Sequence, residues 1–253
     1  MTSLFERFVD LYSPLRLRGL LMDGPIHIAT THVTTDKGTA RMTPSRIVFH
    51  HAPNSRSGST LMLLEELGAQ YDMHVMDLTR GEQREPKFLK INPMGKVPAI
   101  EHLGGLVTER PAIFTYLADL HPEAGLAPGI GDPLRGPYLR WLSFYGSCFE
   151  PAVMDRFMKN APAPVSTCPY GSFDMVLDQI EAQLAQGPWL FGERFTAADI
   201  LWASSLDWTM KFGIVPRRDA FEAYVARLMV RPAIVRAAAQ DAALARAQML
   251  AAA

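Results

Sequence analysis

The chain has 253 residues, 48% of them apolar, and a formal net charge of -1 from 25 basic and 26 acidic side chains. That length and apolar content suffice for one large domain or two modest ones, and the near-neutral, evenly spread charge excludes the electrostatic footprint of a nucleic-acid or anionic-membrane binder. The two cysteines, Cys148 and Cys168, fit the spacing of neither a redox pair, a zinc site nor a disulfide framework, which points to a reducing cytosol, and no apolar run reaches the length of about 18 residues that a membrane span needs.

In residues 1–44, Leu4, Phe5, Phe8, Val9, Leu11 and Tyr12 offer one apolar helix face, but Pro14, Gly19, Gly24 and Pro25 follow and residues 30–43 are polar and turn-rich. The segment reads as a loosely ordered extension, without the basic start, continuous apolar stretch and cleavage site of a secretory signal. A start of translation at Met42 is the other reading. Regular structure is predicted from Ile47-Val48-Phe49-His50, a β-branched and aromatic run typical of a buried strand. After a polar loop over Ala52 to Ser57, Leu61, Leu63, Leu64 and Leu67 recur at helical spacing and stop at Gly68. Alternation over Tyr71 to Leu78 predicts a second strand, laid parallel to the first by a right-handed crossover.

A short helical piece around Phe88-Leu89 precedes two short strands, Val97 to Glu101 and Leu106 to Thr108, joined by Gly104-Gly105 as a hairpin. Ala112, Ile113, Tyr116, Leu117 and Leu120 continue as a helix with Pro111 at its first position, where a missing N–H costs nothing. The predicted order is βαβ followed by ββα. His121 to Pro133 carries three prolines and three glycines in thirteen residues and reads as a linker. Beyond it only helical periodicity occurs, over Leu134 to Phe157, Phe173 to Leu184, Ala197 to Lys211, Phe221 to Met229 and Pro232 to Leu250. Thr196 and Asp199 have the spacing of a capping box, with Phe195 placed as a hydrophobic staple.

Asn92-Pro93-Met94-Gly95-Lys96-Val97-Pro98 resembles the signature that glutathione transferases carry before their third strand. Glu109-Arg110-Pro111-Ala112-Ile113, with Tyr116-Leu117, resembles the family's Glu-Ser-x-Ala-Ile-x-x-Tyr-Leu at the start of the third helix. The capping box at Thr196 to Asp199 and the Arg231-Pro232-Ala233 helix start fall where the family keeps corresponding features, so the resemblance covers residues 45 to 245 approximately. It implies an α/β plus all-α fold. A thioredoxin-like domain with a mixed four-stranded sheet, residues 45–123, would bind glutathione, and an all-helical domain, residues 134–253, would bind the second substrate. It further implies a cis Val97–Pro98 bond, a Val97 backbone that pairs with the peptide as an added strand, and Lys96, Val97, Pro98, Glu109 and Arg110 as glutathione-binding positions. Glu109 matches the family's acid, which takes the γ-glutamyl ammonium. Arg110 stands where the family has a hydroxyl, and either replaces it by pairing with the γ-glutamyl carboxylate or points to solvent and weakens the site.

The family's chemistry needs glutathione as its thiolate, and an ordinary thiol, with a pKa of about 8.5, is mostly protonated at neutral pH. Asn54, Ser55, Arg56 and Ser57 end at a helix N-terminus whose dipole favours an anion. Ser55 ranks first, then Ser57, then Asn54, as the group that stabilises sulfur, although Ser and Asn are also common helix caps. Ser55 and Asn54 align with the serine region of zeta- and theta-like members. Arg56 occupies the position of the cysteine of beta-like members, which argues against thiol transfer through a mixed disulfide. Tyr138, Trp141, Tyr145 and Phe149 share one helix face; such a stripe belongs to the core or, through Tyr138, Trp141 and Tyr145, to the wall of a pocket for a hydrophobic electrophile. His50 and His51 read as core or hinge residues, because no His, Cys or carboxylate cluster has metal-ligand spacing. The resulting expectation is a cytoplasmic, homodimeric glutathione transferase with glutathione as co-substrate and no metal, acting in detoxification by conjugation or glutathione-dependent cleavage. The rival is a protein of the same fold that binds or assembles without catalysis.

Overall fold

A computed structural model describes residues 46–251; the extension expected over residues 1–44 and the alternative start at Met42 lie outside the described residues. The strand β1 (Ile47–His51) is flanked on both sides, and only Val48 escapes full burial. Helix α1 (Gly58–Leu67) buries Leu61, Leu63, Leu64 and Leu67 and ends where Gly68 turns left-handed, at φ 63°, a conformation that costs glycine nothing. Strand β2 (Tyr71–Val75) ends before the predicted Leu78. There Asp77 accepts the Thr79 N–H at 2.8 Å and starts a 3-10 turn that breaks the alternation.

Helix α2 (Pro86–Leu89), strands β3 (Ala99–His102) and β4 (Gly105–Val107) and helix α3 (Arg110–Leu120) complete the first half. The sheet order is β2-β1-β3-β4, with β1 and β2 parallel and the other pairs antiparallel. The mixed four-stranded sheet expected of a thioredoxin-like domain is therefore present.

The second half is helical: α4 (Arg135–Phe144), α5 (Glu150–Met158), α6 (Phe173–Leu184), α7 (Ala197–Lys211), α8 (Asp219–Met229) and α9 (Pro232–Ala251). The single helix predicted over Leu134 to Phe157 is interrupted by a π-helical segment, Tyr145–Phe149. Its wider turn brings Tyr145 and Glu150, five residues apart, onto one side, and the Tyr145 hydroxyl donates to Glu150 Oε1. α7 is apolar nearly all round and is the central helix of this half. Its Trp202 is fully buried, meets Tyr145 edge-on with centroids 5.2 Å apart, and donates its indole N–H to Trp141 O at 3.1 Å.

The described residues form one compact unit. A single apolar cluster runs from Phe49, Leu64 and Ile100 in the sheet half, through Phe114 and Leu117 of α3, to Trp202 and Leu206 of α7. The last helix and the residue before it also reach back across the first half: Arg231 pairs with Glu66, Arg236 with Glu65, and Gln248 donates to Met76 O.

Candidate functional site

The register of the sheet sets the geometry. His50 lies opposite Ala99 in the antiparallel β1–β3 pair, so Val97, two residues upstream of Ala99, sits beside the exit of β1 and the loop that follows it. The Val97–Pro98 bond is cis. Among the described residues the Val97 N–H takes no backbone partner, as an edge that accepts an extended peptide requires. Asn92 shapes this turn: its Nδ2 donates to Lys96 O at 2.8 Å, and its Oδ1 accepts the Met94 N–H at 3.1 Å. Gly95 has φ +58°, and a Cβ there would lie 2.8 Å from the Gln83 carbonyl oxygen. A backbone oxygen held in its own turn cannot retreat, so Gly95→Ala adds a clash to the left-handed penalty and is expected to destabilise the fold by about 2 kcal/mol or more. Thermal melts and glutathione titrations of that variant check the expectation; an unchanged midpoint removes it.

The loop after β1 folds back on itself. The Ser55 Oγ lies 2.7 Å from both Ala52 O and the Ser57 Oγ, and accepts the Ser57 N–H at 3.1 Å. The Ser57 Oγ accepts the Ala52 N–H at 3.0 Å and lies 2.8 Å from His51 Nδ1. On the other edge of the His51 ring, Nε2 is 3.1 Å from Oδ1 of Asp241, a residue of α9. Asp241 Oδ2 accepts the Asn54 N–H at 3.1 Å. Exposure separates the three candidates: Ser57 is fully buried, Ser55 is half-buried and Asn54 is exposed. Ser57 occupies the cap position of α1, yet its side chain does not cap the helix. These placements correct the expectation for Ser57, whose hydroxyl is committed inside the loop, and leave Ser55 as the hydroxyl that reaches the surface at the start of α1.

Glu109 is exposed at the start of α3, with φ 62°. Arg110 satisfies neither alternative predicted for it. It is buried and turns inward, donating to Glu150 Oε1 and Tyr145 Oη through Nη2 and to the Ser205 Oγ at 3.3 Å through Nη1. The physical reason is Glu150, a carboxylate on α5 that needs countercharges. Arg56 supplies the second, with Nη2 donating to Glu150 Oε2 at 2.8 Å and Nε to Oε1 at 3.1 Å, while its guanidinium lies 5.3 Å from the Trp208 ring centre. Burial alone would raise the Glu150 pKa, but Arg110 and Arg56 outweigh it and hold the group at about 2. The cluster ties the loop and α3 of the first half to α5 and α7 of the second.

The aromatic stripe belongs to the core. Tyr138, Trp141 and Tyr145 are 0%, 2% and 1% exposed, which corrects their assignment to a pocket wall. Tyr145 is enclosed by Arg110, Glu150 and Trp202, and burial first of all pushes its phenol pKa up. His50 is a core residue, bonded through Nε2 to Glu101 at 2.8 Å and stacked on His74. Neither Asp241 as a partner of the loop nor Glu150 as the anchor of both arginines belongs to a sequence motif. Asp241 left a faint signal, an acid on an otherwise alanine-rich helix.

A family model described as the N-terminal domain of glutathione S-transferase matches residues 44–119, and one described as its C-terminal domain matches residues 170–227. The glutathione S-transferase-like protein LUC7 of Fusarium is 31% identical over 178 residues, 66% of this chain and 78% of that protein. The chain belongs to the glutathione S-transferase family. Protein LigF of Sphingobium is 34% identical over 102 residues, 39% of this chain and 40% of its own length. Among solved structures, a sphingomonad glutathione S-transferase complexed with glutathione superposes with a TM-score of 0.63 at 32% identity, covering 77% of this chain and 98% of that one.

In this glutathione S-transferase fold, the Val97 N–H has no backbone partner and the Glu109 carboxylate is exposed, while at the start of α3 Pro111 brings no N–H and Arg110 is engaged with Glu150. An anion at this helix start would meet backbone N–H groups rather than the Arg110 side chain. Among the described residues no group of three or more His, Cys, Asp or Glu side chains could hold a metal ion, and no helix is long and apolar enough to cross a membrane.

Proposed function

We propose that the protein is a glutathione transferase in which the Ser55 hydroxyl stabilises the thiolate of glutathione for attack on an electrophilic carbon of a small hydrophobic molecule. The observation that carries this reading is the position of Ser55, half-buried just ahead of the N-terminal end of α1, in the loop that leaves β1 on the side where the sheet register sets Val97, whose N–H has no backbone partner. Sulfur bound along Val97 would face both the hydroxyl and the positive end of the helix. In the reaction the thiolate forms the new C–S bond, and the leaving group departs with the electron pair of the bond that breaks. The sphingomonad relative solved with glutathione supports the co-substrate. Conjugation and glutathione-dependent cleavage share this step, and a screen across halogenated aromatics, epoxides, ethers and peroxides separates them.

Ser55→Ala is expected to lower kcat/KM at neutral pH by about tenfold to a hundredfold, the scale of one hydrogen-bond donor lost at a developing or stabilised anion, while glutathione affinity measured by calorimetry stays within about threefold. Unchanged turnover in that variant removes the proposed role. Arg110 favours a second reading, a protein that keeps the fold for binding or assembly, because the residue that replaces the family's hydroxyl is drawn into the Glu150 cluster. Calorimetry distinguishes the two: micromolar affinity for glutathione supports the enzyme, and no heat at millimolar ligand supports the second reading. We further propose a cytoplasmic homodimer paired through α3 and α4; a monomer mass by light scattering contradicts the pairing.

A further inference from the structure

We infer that Ser55, Ser57, His51 and Asp241 form a proton relay that carries the thiol proton of glutathione inward to a buried imidazole, so that a carboxylate on the last helix governs ionisation at the site. The inference rests on Ser55 being the hydroxyl next to sulfur, as proposed above.

The oxygens are fixed and the protons are free to turn. Backbone N–H groups hold both hydroxyl oxygens, Ser57 N–H on Ser55 and Ala52 N–H on Ser57, at 3.1 and 3.0 Å. The Oγ–Oγ distance is 2.7 Å and the Ser57 Oγ–Nδ1 distance 2.8 Å, so each step of the chain is a short hydrogen bond. Ala52 O, within 2.7 Å of the Ser55 Oγ and 3.0 Å of the Ser57 Oγ, receives whichever hydroxyl is turned away from the chain. His51 Nε2 and Asp241 Oδ1 are both buried and stand 3.1 Å apart, within ion-pair distance, while neither makes a hydrogen bond. Buried polar atoms are rarely left so unless they serve each other, and an imidazolium beside a carboxylate gives both a strong partner.

Every proton is accounted for. At the start the ring proton is on Nε2, bare Nδ1 accepts from Ser57, Ser57 accepts from Ser55, and Ser55 accepts from the thiol S–H. Each group then passes its proton one place along. The thiol becomes a thiolate and keeps its electron pair, each hydroxyl loses one proton and gains one, and His51 becomes an imidazolium paired with Asp241. The Ser55 O–H now points at sulfur and stabilises the anion it has produced. When the product leaves, the proton returns along the chain to water at Ser55. The surroundings of His51 leave Asp241 of α9 as its charged contact: the loop before α1 offers Ser57, the ring lies against Phe49, and its neighbour His50 is bonded to Glu101 and stacked on His74 of β2. His51 and Asp241 are positioning residues, since neither meets sulfur.

The test reads the ultraviolet absorbance of the thiolate against pH in the protein–glutathione complex of the full chain. In Asp241→Asn and in His51→Gln the ionisation midpoint is expected to rise by about one pH unit or more, toward the value of about 8.5 of an ordinary thiol, with glutathione affinity within about twofold of wild type. kcat/KM at neutral pH should fall about tenfold and recover as the pH approaches that midpoint. Asp241 is partly exposed and Asn preserves its shape, so this variant reads the relay if His51→Gln fails to fold. An unmoved midpoint in Asp241→Asn overturns the relay. If Ser55→Ala raises the midpoint while Asp241→Asn does not, the relay falls and the role of Ser55 stands. If Ser55→Ala leaves the midpoint in place with glutathione still bound, or wild type binds no glutathione, both fall.

Discussion

Glu150→Ala is expected to lower the unfolding free energy by about 3–5 kcal/mol, the scale observed when one member of a buried ion pair is removed. The variant leaves two guanidinium groups, Arg110 at 9% exposure and Arg56 at 17%, without the carboxylate they share. Glu150→Gln keeps the shape and some of the hydrogen bonds but not the charge, and should fall between the two. The pH dependence carries a sign. With a folded pKa of about 2 against an ordinary 4.5, the unfolded chain binds the extra proton between these values. The stabilisation is therefore complete above about pH 4.5 and disappears as the pH falls toward 2, with a total on the order of 3 kcal/mol. Urea unfolding at a series of pH values checks this: the gap between wild type and Glu150→Gln should close on acidification. A gap that stays constant down to pH 3 contradicts the assignment.

Asp199→Ala should cost at least about 3 kcal/mol, because it strands several buried donors at once. Asp199 Oδ2 accepts the Thr196 N–H at 2.8 Å and the Thr196 hydroxyl at 2.9 Å, while Oδ1 accepts the Leu190 N–H at 2.8 Å and the Tyr224 hydroxyl at 2.9 Å. All four partners donate, so even Asp199→Asn is expected to destabilise the helical half, since its amide N–H would meet a donor. Burial lifts the Asp199 pKa to about 6 against these hydrogen bonds, which act to lower it. Here the native state binds the extra proton, so this group's contribution declines as the pH rises from about 4 to about 6, opposite in direction to Glu150. Comparing wild type with Asp199→Asn at both ends of that window isolates the slope; parallel curves would exclude it.

Both clusters show where local reading works and where it stops. The capping box was legible because Thr196 and Asp199 are three residues apart and the cap geometry is local. The cis-prolyl turn was legible for the same reason, since Asn92, Gly95 and Pro98 each act within a few residues, Gly95 through a left-handed backbone that glycine adopts without strain. Helix periodicity placed Phe173–Leu184 and Ala197–Lys211 at their observed limits. It gives no sign of the π-helical break at Tyr145, where the Tyr145 hydroxyl meets Glu150 five residues on and Arg110 of α3. The aromatic stripe was correctly read as one face, but periodicity does not say whether a face meets a ligand or a neighbouring helix. Trp202 decides that for Tyr145.

From the sequence by itself came the order of strands and helices, the division into a sheet half and a helical half, and the two turns on which the family resemblance rests. All of these depend on side chains within about one helical turn of each other, where backbone preference and spacing dominate. Only the tertiary structure decided the direction of Arg110, the burial of Ser57 and the meeting of the β1 loop with Asp241, residues as far apart as 187 positions for the Asn54–Asp241 bond. Such contacts are settled by which charges packing happens to enclose. An arginine or aspartate carries no local mark of the partner that burial will force upon it.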